Sequence, residues 1–140
     1  MKRSWFIITF LALGVLLAFG YAQTRAQSLT MAPPGGEYKK VSSLVKLPDF
    51  LPGMGTLYVV PSTLPAGPFL AYDREGKLVS SIYMVPLKDL DAHKKFDLNV
   101  AKERVDHVDL YYNAGHPGVA EPHYHIVLWY IPQDQEARVK

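Results

Sequence analysis

No cysteine occurs in the 140 residues. Its absence excludes disulfide staples, thiolate chemistry and cysteine-bound zinc, so stability must come from packing or from self-association. A surplus of positive charge is also missing once the first 26 residues are set aside. Those residues hold Lys2, Arg3 and Arg25 and no acidic side chain, and beyond them twelve basic residues face thirteen acidic ones. The resulting balance leaves no basic stripe for a phosphate backbone, and nucleic acid is excluded as an expected partner. Catalytic signatures are lacking as well. No Gly-x-Ser-x-Gly occurs, and PPGGE (33–37) has neither the strand nor the helix that a phosphate-binding loop needs. Ser80 and Ser81 read as solvent-side strand serines, and Asp73, Glu75, Asp89 and Asp91 as turn and surface charges. His93, among Asp91, Lys94 and Lys95, reads as a solvated histidine. These features by themselves predict no enzymatic activity.

Only one long apolar run is present, and it lies at the N-terminus. Lys2 and Arg3 precede an apolar stretch from Trp5 to Phe19, followed by small residues at Gly20 and Ala22 or at Thr24 and Ala26. This is the form of a secretory signal peptide (1–26, cut after Ala22 or Ala26), too short in its apolar part for a membrane span. The expected location is outside the cytoplasmic membrane, in the periplasm, the cell envelope or beyond, with no other membrane contact. Residues 27–37 are polar and Pro/Gly-rich and read as a flexible linker. The remainder, 38–140, is long enough for one domain with a modest core.

Eleven prolines and ten glycines argue for many turns and few helices. Residues 38–55 could form a helical turn or an irregular strand. TLYVV (56–60) is a strand ended by Pro61, and FLAYDREGKLVSSIYMV (69–85) is a hairpin turning at 73–77 around Gly76. A short helix near 87–94 and an extended stretch are expected next. VDHVDLYYN (105–113) and PHYHIVLWYI (122–131) are the last strands, and the polar tail PQDQEARVK is expected to fray. Such a succession predicts a mainly β fold: a small antiparallel β-barrel or sandwich, calycin- or cupin-like, with at most one short helix.

The chemistry-bearing cluster is GHPGVAEPHYH (115–125). On a strand, His123 and His125 share one face, roughly 7 Å apart at Cα. His107 shares a face with Asp109 and Tyr111 on the preceding strand, and a suitable register would bring it opposite His123 or His125. His116 and Glu121 lie in the connecting loop. Together these residues offer imidazoles and a carboxylate for a transition metal such as zinc, iron, manganese or copper. The alternative is a structured turn with hydrogen-bonded histidines feeding a core strand. A cupin-type site would want a glutamate three to five residues after the histidine pair, where Leu128, Trp129 and Tyr130 stand.

The blocks Asp106-His107-Val108-Asp109, Gly115-His116-Pro117-Gly118 and Pro122-His123-Tyr124 resemble a family of exported bacterial proteins with a domain of unknown function. That family is typified by a thermophile hypothetical protein under an extracytoplasmic sigma factor and its anti-sigma partner. The resemblance implies a β-rich fold, a homo-oligomer in the envelope and no established activity. Many relatives carry an acid where His125 stands and a histidine where Val127 stands, so the second histidine has moved two places along the same strand face. Tyr111, Tyr112, Trp129, Tyr130 and Phe69 supply more aromatic surface than a small monomer readily buries, which independently favours self-association. Three roles result: a self-associating envelope protein, tied to envelope stress by the resemblance; a metal-binding protein or metalloenzyme using the histidines; or a small-ligand carrier with an apolar cavity beneath 122–131.

Overall fold

The computed structural model describes residues 29–98 and 101–140. The expected signal peptide, 1–26, lies outside the described residues, among which no helix is long and apolar enough to cross a membrane. Six strands form one sheet: β1 (Lys39–Lys40), β2 (Thr56–Val59), β3 (Phe69–Tyr72), β4 (Leu78–Pro86), β5 (His107–Asn113) and β6 (His123–Trp129). Their order across the sheet is β1-β2-β3-β4-β6-β5, with every neighbouring pair antiparallel. The sheet stays open, with β1 and β5 as its edges, so the mainly β, antiparallel expectation is met without closure into a barrel. One short helix, α1 (Leu87–Asp91), follows β4 where the sequence expects it.

The 69–85 hairpin forms with its turn at 73–77. Asp73 N–H donates to Lys77 O (3.0 Å), Gly76 sits at φ 78°, and Asp73 Oδ1 accepts from the Glu75 and Lys77 amides. Positive φ falls to glycine because an added Cβ is strained there. Tyr72 pairs with Leu78 after a register shift at Ala71/Tyr72, a bulge that bends the sheet.

Burial differs from the pattern expected of the strands. β4 is buried along its whole length, both faces included, whereas β6 alternates: His123, His125, Val127 and Trp129 are buried, and Tyr124, Ile126 and Leu128 are half-buried. Ser80 and Ser81 are therefore core residues rather than solvent-side serines; Ser81 Oγ accepts a bond from the Tyr130 hydroxyl (2.7 Å). One face of the sheet carries the main core, with Leu57, Val59, Phe69, Ile82, Met84, Val127 and Trp129 packed under Val41, Val119 and Val139. The other face packs Leu70, Tyr72 and Leu78 with Ala101 and the segment near Leu29 and Ala32.

Two polar segments are held where the sequence suggests looseness. The tail folds as a 3₁₀ helix (Gln133–Val139) because Val139 is buried and Arg138 reaches the buried Asp73 carboxylate, through Nε at 2.9 Å and through Nη2. Burial works to raise the Asp73 carboxyl, but the Lys77 amide, the Arg138 guanidinium and the Glu75 amide outweigh it and hold the group below its ordinary value. Residues 29–32 of the expected linker lie on the hairpin: Ala32 N–H donates to Gly76 O, Met31 bridges to Lys77, and Leu29 O accepts from the Tyr72 hydroxyl.

Candidate metal centre

The β5–β6 register decides which side chains meet. Tyr111 lies opposite His125, Asn113 opposite His123, and His107 opposite Trp129. His107 is thus four residues along the strand from the histidine pair and does not join it. Instead its Nδ1 and Nε2 each lie 3.0 Å from a carboxylate, of Asp106 and Glu136, while its ring stacks on Trp129. Burial would lower the His107 pKa, but the two carboxylates outweigh it and raise it. Asp109, beside it, accepts from the Trp129 indole N–H (2.8 Å). His107, Asp109 and Glu136 lie close enough together to contact one ion, yet His107 is bonded to Glu136 and Asp109 to Trp129, and the His107–Glu136 contact fastens the tail to the sheet edge.

The loop 114–122 folds back so that His116 completes a triad with His123 and His125. One ring nitrogen from each lies within 4.8 Å of the other two. The fold-back depends on Gly115 at φ 130°, where an added Cβ would come 2.5 Å from Ala120 O. A short bridge between His116 and Val119 closes the loop, with bonds in both directions at 2.9 and 3.0 Å. His123 and His125 are fully buried, and His116 is partly buried.

The outward hydrogen bonds set the tautomers. His123 Nδ1 is 2.7 Å from Glu121 O, and His116 Nδ1 is 3.0 Å from Pro117 O. A carbonyl can only accept, so both Nδ1 atoms carry hydrogen, and the neutral tautomer of each ring has its lone pair on Nε2. His125 Nδ1 lies 2.9 Å from the Tyr111 hydroxyl, which can donate or accept. His123 Nε2 and His125 Nε2 are 2.9 Å apart. With no ion between them, the His125 proton sits on Nε2 and donates to His123, and Tyr111 donates to His125. If that proton moves to Nδ1, Tyr111 becomes the acceptor and all three Nε2 lone pairs converge. Burial and the neighbouring His123 and His116 push the His125 pKa down to about 4, so the ring is neutral at physiological pH.

The remaining expected residues lie elsewhere. The Glu121 carboxylate turns away to Lys88 (2.6 Å), and only its backbone carbonyl serves the site. Trp129 and Phe69 are core residues, Tyr130 is half-buried against Ser81, and Tyr111 and Tyr112 are exposed. The sequence names Tyr111 only as surface; its role as the His125 partner follows from the register, which pairs residues symmetrically about the nine-residue loop 114–122.

Two matches with known proteins bear on this arrangement. The TTHB210-like family model, described as hypothetical protein TTHB210, matches residues 73–112. The crystal structure of hypothetical protein TTHB210 from Thermus thermophilus is 51% identical, with a TM-score of 0.58 over 66% of this chain and 92% of that one. The chain belongs to the TTHB210-like family. No curated protein matches it. The TTHB210-like match at 73–112 covers the hairpin turn, β4, α1 and most of β5, and stops short of His116, His123 and His125.

Proposed function

We propose that this chain binds one transition-metal ion through His116, His123 and His125, as a homo-oligomeric protein of the cell envelope. The observation that carries the reading is the convergence of three neutral imidazoles. Each has its Nδ1 engaged by an outer oxygen; this bares Nε2 of His116 and His123, and His125 offers its own once its proton moves to Nδ1 and the Tyr111 hydroxyl accepts it. Outer-shell bonds of this kind fix ring orientation and tautomer in metal sites. An all-imidazole donor set favours zinc, copper or iron over manganese, which prefers carboxylates. Three protein ligands leave a fourth position open, the arrangement of zinc sites that bind or activate a small molecule. Around zinc with bonds of about 2.0–2.1 Å, tetrahedral nitrogens stand roughly 3.3 Å apart. His123 and His125 need to part by only a few tenths of an ångström from their 2.9 Å separation.

Self-association is a second reading with its own support. Val108, Leu110 and Tyr112 on the edge strand β5 are 54%, 66% and 53% exposed. They pair with the half-buried Leu128, Ile126 and Tyr124 of β6, so six apolar residues form one continuous uncovered face beside an open strand edge. Such a face on an edge strand is either covered by a partner or prone to aggregate. The form of residues 1–26 supports export, and the sequence resemblance supports envelope-stress control.

The test is elemental analysis of the purified protein, with His123→Ala/His125→Ala as the comparison. The reading expects about one zinc, copper or iron per chain, lost in the double variant while its circular dichroism is retained. Metal-free protein that takes up none of these ions on dialysis overturns it.

A further inference from the structure

His116 and His125 of the triad line a cavity of about 270 Å³ that lies between the sheet and the segment 41–54. Its wall is apolar almost throughout, built from such residues as Val45, Met54, Leu57, Val59, Ile82 and Met84. The polar side chains lining it are Asn113, His116 and His125, all from the β5–β6 hairpin, so its polar groups gather at one end. Leu44 and Leu64 also line it and are 41% and 46% exposed, which marks them as the rim. A largely apolar pocket with one polar end is the shape of a site for a ligand with one polar head and a hydrocarbon tail.

We infer that this cavity binds a medium-chain carboxylate, its head group on the metal held by the triad and its tail among Met54, Leu57, Val59 and Met84. The inference rests on the three-histidine metal reading for the head group and on the cavity itself for the tail. Volume sets the tail length. A cavity of roughly 150 Å³ takes one benzene, or about 25 Å³ per carbon, so this one takes about ten heavy atoms, the size of octanoate. Charge selects the head. No acidic side chain joins the His116–His123–His125 cluster, and the nearest candidate in the loop, Glu121, is committed to Lys88. A divalent ion on three neutral imidazoles is therefore uncompensated in a partly buried site, and an anionic fourth ligand meets both the open position and the charge. Asn113 adds a donor at the same end: its Oδ1 already accepts from Gly115 N–H (2.9 Å), which leaves the amide NH₂ for the second carboxylate oxygen. An alcohol or an alkane of equal length satisfies neither the charge nor that donor.

Isothermal titration of sodium octanoate into zinc-loaded and zinc-free protein tests this, with 1-octanol as the head-group comparison. Met54→Trp fills the cavity without touching a histidine, and Leu47→Phe is a second filling variant should the first not fold. The expected result is one octanoate per zinc-loaded chain, weakened at least tenfold in the zinc-free protein, in either filling variant and for 1-octanol. Protein that holds zinc but binds no octanoate, or binds it equally in the filled variants, overturns the ligand assignment and leaves the metal reading standing. Protein that takes up no zinc yet binds octanoate in a way that Met54→Trp abolishes supports the ligand class and overturns the metal reading alone. Protein that takes up neither zinc nor octanoate overturns both.

Discussion

The depressed pKa of His125 makes a quantitative demand on acid stability. The unfolded chain protonates this ring near 6.5, whereas the folded chain resists until about 4, because the charged form would be buried against His123 and His116. Below the unfolded value the unfolded state binds more protons, so stability falls as pH falls from about 6.5 and levels off once both states are charged. With those two values, linkage gives a loss of roughly 2 kcal/mol by pH 5 and roughly 3 kcal/mol by pH 4, relative to pH 8. His107 works in the opposite sense. Its folded pKa is raised, so its contribution is fully present below about 6.5 and disappears as pH rises through the folded value. Asp73 has a folded pKa below its ordinary value and titrates beneath this window. Urea denaturation of metal-free protein at pH 4, 5, 6, 7 and 8 separates the two histidines when repeated on His125→Asn and on His107→Asn. The His125→Asn profile is expected to lose the acid-side slope, and the His107→Asn profile to steepen it. An unchanged slope in His125→Asn would refute the assignment of that ring as a buried, neutral imidazole.

Three further outcomes follow from the geometry. Gly115→Ala places a Cβ 2.5 Å from Ala120 O at a positive φ, so it should cost about 2 kcal/mol or more and weaken zinc binding at least tenfold; equilibrium unfolding and zinc titration check both. Arg138→Ala leaves the buried Asp73 carboxylate with its two amide donors but without its cation, and should destabilise by about 2–3 kcal/mol in a denaturation series, with Asp73→Asn in the same background recovering part of the loss. Leu110→Glu puts a charge at the centre of the uncovered β5–β6 face and should reduce the mass measured by light scattering to that of a single chain without changing thermal stability by more than about 0.5 kcal/mol; an unchanged mass contradicts association through that face.

Much of the sheet is legible in the amino-acid pattern because its signals are local. Gly76 and the charged turn mark the 69–85 hairpin, Pro61 ends a strand, and strict alternation puts His123 and His125 on one face. Burial is not local. β4 carries two adjacent serines whose polarity suggests solvent, and its central position in the sheet buries both. The tail is polar in sequence, yet it docks through Val139 and the Arg138–Asp73 pair, 65 positions apart, a contact that no window of sequence contains. The site shows the same division. The triad members were all visible as residue types, but the choice among His107, His116 and Glu121 as the third ligand depended on register and on the fold-back at Gly115. An apolar cavity beneath 122–131 is among the expectations, but its outer wall is hidden for a related reason: it comes from 41–54, an irregular segment with neither helical nor strand periodicity.

The central claim is that three neutral imidazoles hold one metal ion with a position left open. X-ray absorption at the zinc edge of the zinc-loaded protein tests it most directly. The account predicts three imidazole nitrogens at about 2.0–2.1 Å and one further light-atom ligand, with the imidazole signal reduced in His116→Ala. A zinc environment dominated by carboxylate oxygens, or one that His116→Ala, His123→Ala and His125→Ala all leave unchanged, would contradict it.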